Sequence, residues 1–267
     1  ALAARFPQID PRGLRWALLE AKAGAILSRG ACRALLAAFL RAGGRFRLAR
    51  VPAPGAGMSE GARGRRLSRL DCTDGRPLRA DQYLFACGPW LPGLFPALLG
   101  RRIAVTRKDV YYFGTPAGET RFDGSELPVW MELGTLCYGI PSLAGLGFKV
   151  NPDLPGARVE PSSLERQPSR RVLNAARACL ARRFPAMSAA PLLGARVCQY
   201  ESTADDHMIF DRHPGYDNVW LAGGGSGHCF KHGPAIGELV ASALTARSTD
   251  RIPEPLRLSH VARGRHF

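Results

Sequence analysis

This 267-residue chain is most informative at first for what it lacks. Its seven cysteines, at 32, 72, 87, 137, 179, 198 and 229, include no Cys-x-x-Cys pair and are odd in number. That pattern indicates neither a zinc site nor the disulfide framework of a secreted protein, so no metal is expected and a reducing compartment fits best. No stretch approaches the roughly 18 uninterrupted apolar residues of a membrane span. No basic start with a small-residue cleavage site opens the chain, and the expectation is a soluble, cytoplasmic protein without a membrane partner. Acidic residues are scarce, 22 Asp and Glu against 37 Lys and Arg, for a formal net charge of +15. The excess is scattered from Arg5 to Arg265, with no block longer than pieces such as Arg63-Gly-Arg-Arg66. A nucleic-acid binder would gather that charge on one face beside stacking aromatics or a recognition helix. Neither is visible, so no nucleic-acid partner is expected, and an Arg-rich surface steers anionic ligands at most.

What is present can fill a core. Hydrophobic residues make up 46% of a chain long enough for one large domain or two smaller ones. After a loop with Pro7 and Pro11, residues 28–44 carry apolar side chains at helical spacing between a Ser cap and a Gly stop. An irregular Pro/Gly/Ser stretch from Pro52 to Gly64 follows. Next comes an expected hairpin, residues 67–72 and 78–85 joined by Asp74-Gly75, which ends at Ala86-Cys-Gly-Pro-Trp90. From about Ile103 to Val150 the pattern turns to β, with strands expected at 103–113, 128–133, 135–140 and 147–150. A helix is expected over 169–184, with Val172, Leu173, Ala176, Cys179 and Leu180 on one face. A last helix runs from about Pro234 to Ala246, and the final twenty residues have few apolar anchors and read as loosely ordered.

The most specific signal lies near the C-terminus. Residues 218–237 read Asn-Val-Trp-Leu-Ala-Gly-Gly-Gly-Ser-Gly-His-Cys-Phe-Lys-His-Gly-Pro-Ala-Ile-Gly: a short apolar strand, a glycine turn with a cation in it, then a helix. Such a junction lets backbone N–H groups and a helix N-terminus approach an anionic or electron-rich ligand, because glycines hold no Cβ in the way. Upstream, residues 194–214 read as strand, turn and strand.

Together these stretches resemble the amine-oxidising flavoenzymes of the D-amino-acid-oxidase-like superfamily, in particular the monomeric sarcosine oxidase group with its N-methyltryptophan and pipecolate oxidase relatives. The family pattern is Cys-x-Tyr, then Asp/Glu-His-x-Ile-x-Asp-x-His-Pro, then Gly-x-Ser-Gly-His-x-Phe-Lys. Cys198, Tyr200, Asp206, His207, Ile209, Asp211, His213, Pro214, Gly224, Ser226, Gly227, His228, Phe230 and Lys231 supply it in order. The resemblance continues upstream to Leu2–Pro7 and covers nearly the whole chain.

The resemblance implies an α/β fold: a layered FAD-binding domain over 1–102 and 196–267 and an inserted antiparallel-sheet substrate domain over 103–195. It implies FAD, with a possible thioether from Cys198 to the flavin 8α carbon, although a Cys in a strand is commonly just a small buried hydrophobe. Gly224, Gly225, Ser226, Gly227, His228, Phe230 and Lys231 would hold the flavin, with Cys87, Gly88 and Trp90 matching the Ala-Gly-Ala-Trp turn beside it. Lys149 would promote electron transfer to O2, Lys231 would pair the substrate carboxylate, and Tyr138 and Tyr200 would line the pocket. The implied reaction is oxidation of the C–N bond of a secondary or N-methyl amino acid, with hydride passing to flavin N5 and O2 giving H2O2. A same-fold dehydrogenase handing electrons to a carrier, and a non-catalytic truncated relative, remain as alternatives. The sequence departs from the family in two places. Asn151-Pro-Asp153 stands where relatives have a His shortly after the lysine. No Gly-x-Gly-x-x-Gly lies near the start, and the expectation is that residue 1 falls inside the family's fold, as in a fragment lacking the N-terminal βαβ. His228 and His232, four apart, have no carboxylate companion for a metal frame; His228 is expected to donate to the flavin.

Overall fold

The computed structural model describes residues 1–52, 58–60, 66–163 and 165–261. They divide into two compact units. The first comprises Ala1–Ile26, Arg107–Ala157 and the described residues of Leu164–Cys198; the second comprises the described residues of Leu27–Thr106, Arg158–Ser163 and Gln199–Phe267.

The first unit is built on the β-rich stretch. Strands β4 (Ala104–Phe113), β5 (Trp130–Glu132), β6 (Cys137–Ile140), β7 (Phe148–Pro152) and β8 (Leu192–Ser202) form one sheet in the order β5-β6-β7-β4-β8. The register places Lys149 opposite Tyr112 and Ile140, and Asn151 opposite Tyr138, so these five side chains share one face. The opposite face, with Tyr111, Phe113, Phe148 and Val150, is packed by Ala176, Cys179 and Leu180 of helix α5 (Arg170–Arg183). Aromatic edges close this core: Phe148 and Phe184 meet T-shaped at 5.0 Å, and Trp130 lies 4.9 Å from Phe184. Buried Asp109 accepts the Ser169 N–H at 2.6 Å, fixing the start of α5, and is itself paired with Arg107 at 2.8 Å.

The second unit centres on β10 (Val219–Gly223), which pairs parallel with β3 (Tyr83–Phe85) and antiparallel with β9 (Ile209–Arg212). Alternation sends Val219 and Leu221 to one core, with Leu67, Phe85, Leu91 and Ile209. Trp220 faces the other, with Phe210 and helix α6 (Gly233–Ala246). Buried Asn218 ties the start of β10 to β2 (Leu67–Leu70), accepting the Leu67 N–H and donating to its carbonyl, both at 2.9 Å. The short helices α3 (Leu91–Leu94) and α4 (Pro96–Leu99) follow the Cys87–Trp90 turn.

Several expectations are corrected. The turn at Asp74-Gly75 forms, with the Gly75 N–H on the Cys72 carbonyl, but past a single Leu70–Leu78 bridge the arms separate. β2 pairs instead with β1 (Met58–Glu60), and β3 is taken by β10. Apart from β1, the Pro52–Gly64 stretch lies largely outside the described residues. Helix α2 (Ser28–Arg41) forms, but Ser28 is its first helical residue and makes no cap bond. Its Leu35, Phe39 and Leu40 are exposed. The tail is anchored rather than loose up to Val261: Ile252, Leu258 and Val261 are buried, and the Leu258 N–H binds Asp211 at 2.9 Å.

Candidate functional site

In the second unit the glycine turn leaves β10 at Gly223. Gly224 (φ +72°), Ser226 (φ +48°) and Gly227 (φ +77°) all take left-handed backbone conformations. Gly227 is obligatory for a second reason: a Cβ there would sit 2.3 Å from the Tyr200 ring. The turn is braced from behind. Ser226 N–H binds the Glu201 carbonyl at 3.0 Å, and the Ser226 hydroxyl accepts the Thr203 N–H at 3.2 Å. His228 donates through Nε2 to the Asp206 carbonyl at 3.1 Å. A 3-10 turn, Cys229–His232, then leads into α6, with Phe230 and Lys231 exposed on it.

Glu201 is the residue that sequence reasoning missed. In a strand next to Tyr200 it reads as an ordinary edge carboxylate. In the fold its side chain lies at the glycine turn and accepts from the Gly224 and Gly225 amides, while Oε2 has no partner among the described residues. Burial raises its proton affinity, and the two amides pull it part of the way back. Burial also raises the thiols of Cys87 and Cys229, and the charge of Glu201 adds to both, so the end of β3 and the start of the 3-10 turn both lie near this carboxylate. Gly88 (φ +53°) and exposed Trp90 continue from Cys87, with the Trp90 indole donating to Ser162 at 2.9 Å.

Because the folded pKa of Glu201 is raised, the penalty for its ionised form is present above that pKa. It disappears as pH falls below the unfolded value. Glu201→Gln is therefore expected to raise Tm by about 2–4 °C near pH 7, with the gain shrinking toward pH 4. A gain equal at both pH values, measured by thermal melts, would contradict this.

In the first unit, Lys149 sits in β7 between Phe148 and Val150, which are wholly buried, and is itself half-buried. Its ammonium lies 5.3 Å from the centroid of the Tyr138 ring. Burial lowers its pKa, and a negative charge on Cys198 would raise it, which places the thiol of β8 close to the amine. Among the described residues no carboxylate pairs with Lys149. On the same sheet face, wholly buried Asn151 has no partner for either side-chain polar atom among the described residues, and Arg196 lies over the Tyr112 ring at 5.7 Å. Tyr112 and Arg196 were not singled out as site residues: only strand register puts Tyr112 beside Lys149, whereas Asn151 follows Lys149 by two in the same strand.

The residues fit the ring side of a flavin. The turn amides already grip an oxygen anion, that of Glu201, and no Cβ covers Gly224 or Gly227. Exposed Trp90 and Phe230 offer aromatic surface.

A family model described as FAD dependent oxidoreductase matches residues 1–243. The chain belongs to this family. It is 30% identical over 264 residues to monomeric sarcosine oxidase of Streptomyces avermitilis, covering 96% of this chain and 66% of that protein. It is 28% identical over 193 residues to N-methyl-L-tryptophan oxidase of Salmonella heidelberg, covering 68% and 48%. Among solved structures, L-proline dehydrogenase from P. horikoshii superposes with a TM-score of 0.70 at 18% identity, over 85% of this chain and 58% of that one. The family member thus spans less than two thirds of the length of each of these relatives. The fold is that of FAD-dependent oxidases and dehydrogenases alike. No helix among the described residues is long and apolar enough to cross a membrane.

Proposed function

We propose that this family member takes part in oxidation of a secondary or N-methyl amino acid, with electrons passing to O2. The observation that carries this reading is Lys149, a half-buried cation with no carboxylate partner among the described residues, set beside a tyrosine ring and a thiol. A lysine drawn partly out of water without an ion pair among the described residues is available to stabilise a negative charge that develops next to it. Bound FAD would supply the two-electron acceptor.

The chain's own residues then have separate tasks. The Gly227 amide and the N-terminus of α6 would offer donors to the electron-rich edge of the ring system, since Glu201 already takes the Gly224, Gly225 and Ser226 amides. Cys87, Gly88, Trp90, His228 and Phe230 would surround it, and the Cys198 thiol would provide the covalent attachment. Lys231, exposed on the 3-10 turn, would bind the substrate carboxylate, with Tyr138 and Tyr200 lining the pocket. No residue need act as a proton-abstracting base if the amine binds neutral. We propose further that residues 1–102 and 196–267 are the cofactor-binding part and 103–195 the substrate part, in a cytoplasmic protein.

Anaerobic mixing of the flavin-loaded protein with sarcosine and other N-methyl amino acids tests the reading. The flavin absorbance should bleach within the turnover time and return when O2 is admitted. A flavin that stays oxidised with every amine offered would overturn it. Bleaching that is reversed only by an added electron carrier would favour the dehydrogenase reading, which shares this fold.

A further inference from the structure

One side-chain cluster in the second unit has no part in the proposed flavin contacts, although His207 belongs to the family pattern. Asp205, His207 and His260 each offer a ligand atom, and the three atoms lie within 4.8 Å of one another. They come from distant points of the chain: two from the turn between β8 and β9, one from the anchored tail. We propose that these three residues form a binding site for a first-row divalent cation of the Zn2+ class.

The donor set has the right chemistry, two imidazoles and a carboxylate, which suits zinc with a fourth position left for water. The distances are close to what is needed. Asp205 Oδ2 is 3.7 Å from His207 Nδ1 and 3.9 Å from His260 Nε2. Ligands of one tetrahedral Zn2+ at about 2.0–2.2 Å stand about 3.4 Å apart, so shifts of roughly 1 Å or less close these two separations. The two rings meet edge to face, 6.0 Å between centroids and 85° between planes, leaving a wedge between them.

The nitrogen that faces the cluster is already selected. His260 donates its Nδ1–H to the Glu254 carboxylate at 2.7 Å, which leaves the lone pair on Nε2, the atom directed at Asp205. A carboxylate on the far nitrogen is the arrangement that orients metal-binding histidines and raises their basicity. Asp205 is likewise committed: Oδ1 accepts the His207 N–H at 3.1 Å, and Oδ2 turns to both rings. A cation here would fasten the tail segment around Glu254–Val261 to the Thr203–His207 turn. That turn supports the glycine turn through the Thr203–Ser226 and His228–Asp206 hydrogen bonds. The inference does not rest on the flavin reading, and it departs from the sequence expectation of no metal.

Titration of the purified protein with Co2+ and Zn2+ tests it, read by visible absorption, calorimetry and thermal melting. One equivalent of Co2+ should bind with weak visible bands typical of nitrogen and oxygen ligands, and Zn2+ should displace it and raise Tm. His260→Ala should abolish the one-equivalent step, and Glu254→Gln should weaken it about 10–100-fold. His232→Ala, outside the cluster, should leave it unchanged. A strong near-ultraviolet thiolate band would assign the metal to cysteines instead. That result, no one-equivalent step, or a step that survives His260→Ala would each overturn the proposal.

Discussion

Replacing Lys149 by Met slows reoxidation of the reduced, flavin-loaded protein by O2 about 10²–10³-fold, as expected for loss of one preorganised charge. At an effective dielectric near 20, a cation about 4 Å from a nascent anion contributes about 4 kcal/mol before relaxation, which is ample for that factor. Stopped-flow reoxidation is the measurement. Anaerobic reduction by substrate should change far less, since the ammonium is assigned to the second half-reaction. A variant that reoxidises within a factor of two of the parent would remove Lys149 from that role and leave the dehydrogenase reading.

The same residue predicts a pH dependence. Burial lowers the Lys149 pKa from its ordinary 10.5. The reoxidation rate should therefore fall with rising pH before 10.5 is reached, and stay flat over that range in Lys149→Arg. Stability runs the other way. The cost of burying the charged amine is present below the folded pKa and is relieved as pH rises toward the unfolded value. Lys149→Met should thus melt higher than the parent at neutral pH while losing reactivity with O2, a trade of stability for function.

The second large effect is at Gly227. An alanine there must hold φ near +77°, which costs about 1–2 kcal/mol, and must also push its Cβ into the Tyr200 ring. Overpacking of that kind costs about 1–3 kcal/mol more. Gly227→Ala is expected to lower Tm clearly and to weaken flavin binding at least tenfold, because the turn amides would be re-aimed. Adding Tyr200→Ala should recover the steric part but not the backbone part, and calorimetric melts of the double-mutant cycle separate the two. Full recovery would mean that the left-handed backbone is not under constraint.

Much of this was legible in the sequence because the signals are local. The strands of the first unit announce themselves by β-branched and aromatic runs between Gly and Pro, and α5 by its apolar spacing. The glycine turn is written in five consecutive residues. What was misread is non-local. Nothing near Tyr83–Phe85 says that its partner is Val219–Leu221, since a parallel pairing across that separation leaves no turn signature, whereas Asp74-Gly75 advertises a hairpin that stops after one bridge. Glu201 escaped for a related reason: an acidic residue in a strand defaults to solvent, and only the fold brings the Gly224 and Gly225 amides to it. In the tail, Ile252, Leu258 and Val261 are too sparse to form a periodic pattern, yet each finds a core.

In the proposed function Cys198 would hold a bound flavin by its 8α methyl edge, with the neighbouring Lys149 serving the reaction with O2. Incubation of the purified protein with FAD, followed by acid precipitation and peptide mapping, asks this directly. The predicted result is a yellow precipitate whose flavin travels on the peptide containing Cys198, with Cys198→Ser still binding flavin but releasing it into acid. The opposite result is a protein that binds no FAD, or one whose Cys198 is alkylated by iodoacetamide at the same rate with and without FAD while no peptide carries the chromophore.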